Sequence, residues 1–187
     1  MGSRKTLIES ELLLIQHRRG KPDAVERLVE LWERPLYYYV RRLVKTEDEA
    51  KDVAQETWLA VIRKIKSLRD PAAFPAWLYT VARRKALNHF RDTPGFEQLP
   101  ENESAMGIES ADLNDLASSL NAEELHWGLS RISPPHSECL MLHFLEGFTL
   151  EEVGAITGAP LGTVKSRIHY AKKALRDALK QQGETHD

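Results

Sequence analysis

The sequence predicts an all-α protein built as two small helical modules joined by a flexible acidic linker. Three observations carry that expectation. Apolar residues recur at steps of three and four through most of the 187 residues, the period of a helix with one packed face. No alternating apolar and polar run is long enough for a strand. Residues 93–121 break the period: they hold Pro94, Gly95, Pro100 and Gly107, six acidic side chains and no basic one, which is the composition of a tether.

Taken in order, Leu7–Ile15 is apolar but interrupted by Glu9 and Glu11, leaving Met1–Arg19 open between a segment packed on the first module and a free arm. From Asp23 to Val44, Val25, Leu28, Val29, Trp32, Leu36, Tyr39, Val40 and Leu43 mark one helical face, with Pro35 expected to kink the middle. Thr46 followed by Glu49 is a capping-box start, after which Ala54, Trp58, Val61 and Ile65 are expected to share the packed face. Ser67–Pro75 reads as a loop because of Pro71 and Pro75, and a third helix is expected from about Phe74 to Arg91. A short helical turn is expected near Leu113–Leu120 inside the linker. Beyond it, Ser133 and Pro134 open a helix that Gly147 stops. Thr149 and Glu152 open Leu150–Thr157, Gly158 ends it, and a last helix runs from Pro160–Thr163 to about Lys180, packing Val164, Ile168, Ala171, Leu175 and Leu179 inward. The expected domains are therefore 1–92, the linker 93–121, 122–182, and a tail 183–187.

Composition narrows the function classes. Hydrophobic residues at 42% fill a core, and the charged fraction of 29% argues against wholesale disorder. No apolar run approaches the roughly 20 residues of a membrane span, so neither a signal peptide nor membrane insertion is expected. The single Cys139 excludes an internal disulfide framework and fits a cytoplasmic protein. The net charge of -2 conceals a division: residues 1–92 hold 19 Lys and Arg against 13 Asp and Glu, and residues 160–182 hold six basic side chains against Asp177. Basic charge thus gathers in two places, as nucleic-acid contact requires, although a charge run also solvates an ordinary helix face.

A short capped helix, a glycine turn and a longer helix with a polar and basic face form a helix-turn-helix. The face opposite the packed stripe carries Thr163, Lys165, Ser166, Arg167, His169, Tyr170 and Lys173, donors for phosphates and base edges. The same pattern is compatible with a helical hairpin inside a larger bundle. In the helix from Phe74, the apolar sector Phe74, Trp77, Leu78, Val81 continues as Lys85, Asn88 and His89, with Arg83, Arg84 and Arg91 alongside. Aromatic and basic side chains interleaved in this way suit single-stranded DNA, whose bases stack while its backbone follows the charge; Trp77 suits a core equally well. Glu49, Asp52 and Glu56 form an acidic stripe, either plain solvation or a dock for a basic protein surface. No phosphate loop, HExxH or nucleophile triad is present, so no catalytic activity and no cofactor is expected. His136, Cys139 and His143 fall at zinc-compatible spacing without an evident fourth ligand, and a packed Cys beside two incidental His is the better account.

The strings DEAKDVAQETWLAVIRKIKSLRD and FPAWLYTVARRKALNHFR resemble region 2 of bacterial RNA polymerase sigma factors of the sigma-70 family. HSECLMLHFLEGFTLEEVGAITGAPLGTVKSRIHYAKKAL resembles their region 4. With a linker in place of region 3, the chain resembles the extracytoplasmic-function (ECF) group. The resemblance implies that Asp52, Gln55 and Glu56 face the β′ clamp helices of core polymerase, with the β flap as a further contact. It implies that the loop containing Ser67, Leu68, Arg69 and Asp70 captures a flipped base of the minus-ten element, while Trp77, Arg83, Arg84, Asn88 and His89 contact or open the neighbouring duplex. Pro160, Thr163, Lys165, Ser166, Arg167, His169, Tyr170 and Lys173 would meet the minus-thirty-five element. Tyr170 stands where family members often have Arg, so its base preference does not transfer. An anti-sigma factor or another separate regulator is a further family expectation. The rival reading is a helix-turn-helix regulator that binds DNA without the polymerase core.

Overall fold

The computed structural model describes residues 4–90 and 127–184, all helix, turn or loop with no strand among them. The chain divides into two compact units, each with its own buried core. The linker and the turn expected near Leu113–Leu120 lie outside the described residues.

The first unit begins with α1, Arg4–Arg18. Gly20, at φ +83°, ends it: the Gly20 N–H donates to the His17 carbonyl at 2.9 Å and the Lys21 N–H to the Gln16 carbonyl at 3.1 Å. This paired closure needs a left-handed residue, which glycine adopts without the Cβ penalty. Helix α1 packs on α2, Ala24–Leu43. Of the two possibilities for residues 4–18, packing is the one realised: Leu13 and Leu14 are buried, and the Ser10 hydroxyl accepts the Trp32 indole N–H at 2.6 Å while donating to the Thr6 carbonyl. Pro35 lies within the single span of α2, which buries Leu28, Trp32, Leu36, Tyr39 and Val40. Trp32 is the centre of the core, with Phe74 and Tyr79 edge-on to it at 6.5 and 6.2 Å between ring centroids.

Helix α3, Glu47–Lys64, starts with the expected reciprocal cap of Thr46 and Glu49. Its packed face is rotated from the expected one. Ala50, Val53, Thr57 and Val61 are buried, continuing to Ile65, whereas Ala54 and Trp58 are only half-buried. Thr57 can sit inside because its hydroxyl donates to the Val53 carbonyl at 2.7 Å, one turn back. Two short 3-10 turns, Ile65–Ser67 and Pro71–Ala73, lead into α4, Phe74–Phe90. Here too the face is rotated: Tyr79, Ala82 and Ala86 join Phe74 and Leu78 inside, and Trp77 and Val81 are half-buried.

In the second unit, residues 127–130 form a helical turn. A Cβ on Gly128 would come 2.4 Å from Leu175 Cδ1, so glycine allows that close approach to the last helix. Helix α5, Pro134–Leu140, continues as a π turn over Met141–Leu145. Ser133 occupies the cap position of α5, yet its hydroxyl makes no hydrogen bond. The reason is local. Pro134 and Pro135 bring no N–H to the first turn, and the His136 N–H is taken by the Ser133 carbonyl at 3.1 Å. Gly147, at φ +82°, turns the chain into α6, Leu150–Thr157, which carries the reciprocal Thr149–Glu152 cap. Helix α7, Leu161–Glu184, buries Val164, Ile168, Ala171, Leu175 and Ala178.

Candidate functional site

The loop between α3 and α4 is shaped by three ties. At its entry the Ser67 hydroxyl donates to the Lys64 carbonyl at 2.7 Å, and at its exit the Asp70 carboxylate accepts the Ala72 N–H at 3.0 Å, capping the second 3-10 turn. In its middle the Arg18 guanidinium donates to the carbonyls of Leu68 and Arg69, the latter at 2.9 Å. The side chains of Ser67, Arg69 and Asp70 remain exposed, and Leu68 is half-buried.

Helix α4 continues from this loop. Trp77, Arg84 and Asn88, seven and eleven residues apart, share one face of the helix, with Arg83 and His89 on its flanks. Trp77 packs one side against Phe74, ring centroids 6.2 Å apart, and stays half-exposed, so one aromatic serves both core and surface. Arg84, Asn88 and His89 are exposed and Arg83 is half-buried. Loop and helix thus present an aromatic ring, cations, amide donors and a shaped backbone, the set that stacks and tracks unpaired DNA.

The acidic stripe on α3 separates into two roles. Glu49 turns back to accept the N–H groups of Lys45 and Thr46, both at 2.9 Å. Those bonds, the Thr46 N–H first, hold its carboxyl below the ordinary value of 4.5. Asp52, Gln55 and Glu56 are exposed. Glu56 also accepts from Lys85 of α4 at 3.0 Å, linking the acidic patch to the basic helix. Nearby, Lys51 hydrogen-bonds Glu47 at 2.7 Å, which lowers the Glu47 carboxyl and raises the Lys51 ammonium from their usual values.

In the second unit the turn between α6 and α7 is close-packed. Gly158 is left-handed at φ +71°, with its N–H on the Gly154 carbonyl, and a Cβ on Gly154 would lie 3.0 Å from the Ala159 carbonyl oxygen. The start of α7 follows directly, its first-turn amides free of intrahelical acceptors. Pro160, Tyr170 and Lys173 are exposed, and Thr163, Lys165, Arg167 and His169 are half-buried. Ser166 departs from the expected polar face. It is 1% exposed, with its hydroxyl donating to the Gly162 carbonyl at 3.1 Å, because a short hydroxyl side chain folds back onto the preceding turn. Tyr170 lies between two imidazoles, His136 stacked at 6.0 Å and His169 edge-on at 5.6 Å.

His136, Cys139 and His143 do not converge: no group of three His, Cys, Asp or Glu suited to a metal ion occurs among the described residues. Cys139 is buried, and His143 Nδ1 lies 2.7 Å from the Phe148 carbonyl, to which it donates across the Gly147 turn. Four contributors escaped the sequence reading: Ser10, Arg18, Lys85 as a partner of Glu56, and His136 as a partner of Tyr170. Only Arg18 carried a local signal, a basic residue in a last helical turn before Gly20, and even that does not disclose what it touches.

Residues 28–94 match the family model of Sigma-70 region 2, and residues 128–177 match that of Sigma-70, region 4. The chain is 30% identical over 162 residues to RNA polymerase sigma factor CarQ of Myxococcus xanthus, covering 87% of this chain and 92% of that one. The chain belongs to the sigma-70 family of RNA polymerase sigma factors. It is also 28% identical over 182 residues to the RNA polymerase sigma-H factor of Pseudomonas aeruginosa, covering 91% and 94%. With the ECF RNA polymerase sigma factor SigW of Bacillus subtilis it is 25% identical over 175 residues, covering 88% and 94%. Its fold is shared with the sigma factor RpoE of Bartonella quintana, solved in complex with the anti-sigma factor NepR, at a TM-score of 0.64 and 23% identity over 84% of this chain and 98% of that one. The protein is an ECF-type sigma factor, a transcription initiation factor, and both surfaces described above fall within the matched regions. No described helix of this sigma factor is long and apolar enough to cross a membrane.

Proposed function

We propose that this sigma factor docks on the β′ clamp helices of core RNA polymerase through Asp52, Gln55 and Glu56. The loop of Ser67, Leu68, Arg69 and Asp70 receives an unstacked base of the minus-ten element, and Trp77, Arg83, Arg84, Asn88 and His89 hold or open the adjoining duplex. Pro160, Thr163, Lys165, Arg167, His169, Tyr170 and Lys173 meet the minus-thirty-five element, with Ser166 supporting the helix from inside. The observation that carries this assignment is the α3–α4 pair. An exposed acidic and amide patch lies on one helix, and a basic face with a half-exposed aromatic follows on the next, so one small unit offers opposite chemistries to a protein and to DNA.

The units 1–92 and 122–182 act at two separate DNA elements, and the tether of 29 residues, 93–121, extends up to about 95 Å. Its six acidic side chains repel DNA while the polymerase is absent. The protein works in the cytoplasm, where core polymerase is, and a separate regulator of the anti-sigma type restrains it; the NepR complex of the fold relative supports that expectation.

In vitro transcription with core polymerase on a promoter selected by the holoenzyme tests the assignment. Charge reversal at Asp52 and Glu56 is expected to abolish initiation through loss of core binding, and alanine at Trp77, Arg84 and Asn88 to leave core binding intact while blocking opening. Wild-type initiation by both sets refutes it.

A further inference from the structure

Arg18 lies fifty positions from the loop it touches, on a helix to which neither the family-model matches nor the proposed contacts extend. Its own placement is rigid. It is the last helical residue of α1, and the Gly20 closure immediately behind it fixes where the helix ends. Helix α1 is in turn anchored on α2 by Leu13, Leu14 and the Ser10–Trp32 hydrogen bond, and it also packs on the 3-10 turn Pro71–Ala73. From that fixed base the guanidinium reaches two consecutive carbonyls, Leu68 and Arg69, at the apex of the loop. A cationic donor on two successive carbonyls fixes the two peptide planes that flank Arg69, and with them the directions in which Arg69 and Asp70 leave the backbone.

We infer that Arg18 is a positioning residue for base capture: it holds the Leu68–Asp70 backbone in the form that receives the promoter base. The inference rests on the proposed role of this loop. Arg18 itself does not touch the base. Neither remaining tie can substitute for it, because the Ser67 hydroxyl and the Asp70 carboxylate bond backbone within two or three residues of themselves and brace only the loop's ends. Both bonds come from the one nitrogen Nη2; lysine keeps the charge and the donors, but its ammonium sits on a shorter stem and is not held in a plane, so Arg18→Lys restores the function only in part.

The test uses full-length protein in holoenzyme with core polymerase and four promoter variants that differ only at the captured position. Arg18→Ala is expected to leave core affinity unchanged and to compress the ratio between best and worst base by roughly three- to tenfold, the scale of an exposed charge-assisted hydrogen-bond pair. Arg18→Lys is expected to fall between alanine and wild type. Amide hydrogen exchange in the free protein is expected to rise across residues 68–72 in Arg18→Ala, with the thermal midpoint little changed. A general structural defect would lower initiation on all four promoters by one factor and leave the ratio untouched, and that outcome overturns the proposal. Arg69→Ala and Asp70→Ala are run in parallel. If they change the base preference and Arg18→Ala does not, the positioning role fails while the loop reading stands; if neither changes it, the loop reading itself fails and the positioning role falls with it.

Discussion

The ion pair between Glu56 and Lys85 allows the proposed core contact to be separated from its local structural role. Glu56→Lys places two ammonium groups where a carboxylate and an ammonium now sit 3.0 Å apart with both side chains substantially exposed. Such a pair contributes about 0.2–1 kcal/mol, and like charges at about 4 Å in water cost about 1 kcal/mol more. The loss of stability is therefore about 1–2 kcal/mol, and since 1 kcal/mol moves the midpoint of a domain this size by about 4–8 °C, the unit stays folded at 25 °C. Exchanging the residues, Glu56→Lys with Lys85→Glu, restores the pair with reversed polarity and should return the midpoint to within a few degrees of wild type. Core binding should not return with it, because α3 still presents the wrong sign to the partner. We expect both variants to lose about ten- to a hundredfold in affinity for core polymerase, corresponding to about 1.4–2.8 kcal/mol. The assay is equilibrium binding of labelled protein to core enzyme at fixed ionic strength, beside thermal unfolding of each variant. If the exchange variant binds core as wild type does, Glu56 acts only by holding Lys85, and the docking role assigned to it is wrong.

Three further outcomes follow from the same structure. Ser10→Ala strands the Trp32 indole N–H in the core and should cost about 1–3 kcal/mol in urea unfolding; in a Trp32→Phe background the same substitution should cost less than half as much, and an equal cost would show that the hydrogen bond is not the cause. The lowered Glu49 carboxyl stabilises the fold above its unfolded value of 4.5, and that contribution disappears as the pH falls through its lower folded value. Glu49→Gln keeps an oxygen acceptor without the charge, so its stability deficit against wild type in thermal melts should be present at pH 7 and close on acidification below about 4.5; a pH-independent deficit would contradict this account. Lys165→Ala and Arg167→Ala should each reduce the salt slope of binding to minus-thirty-five DNA by about 0.9 for every phosphate the native side chain neutralises. Unchanged slopes in titrations from low to moderate salt would place both residues off the DNA.

What the sequence disclosed and what it withheld divide along the range of the interactions. Both capping boxes and the glycine stops at 147 and 158 were legible because donor, acceptor and backbone angle all lie within a few residues. Helix faces were legible only to within about a quadrant, at about 100° per residue. Treating Trp58 and Trp77 as inward residues turned α3 and α4 toward them, whereas the core selected Thr57 with its satisfied hydroxyl, the small Ala82 and Ala86, and Tyr79, whose ring packs on Trp32 and Tyr39. Ser133 looked like a cap because the type of the residue was right, and the two prolines after it removed the amides a cap would serve. Ser166 looked outward because it lies opposite the apolar stripe, yet it is buried while bonding its own helix. Arg18, Lys85 and His136 were out of reach, since what each of them touches lies 29 or more residues away in the chain.

The Arg18 tie also bears on the order in which the first unit is assembled. The helix pairs α1–α2, α2–α3 and α3–α4 join neighbours in sequence and can form while the chain is still emerging from the ribosome. The Arg18 link closes a span of 50 residues, and its loop-closure cost falls once the intervening helices have packed. On that order, a nascent or partly unfolded chain carries the acidic patch of α3 before the loop proposed to read DNA has taken shape. In pulse-labelled refolding, the amides of residues 68–72 should become protected after those of α2 and α3. Competence to meet the polymerase would then mature ahead of competence to choose a promoter.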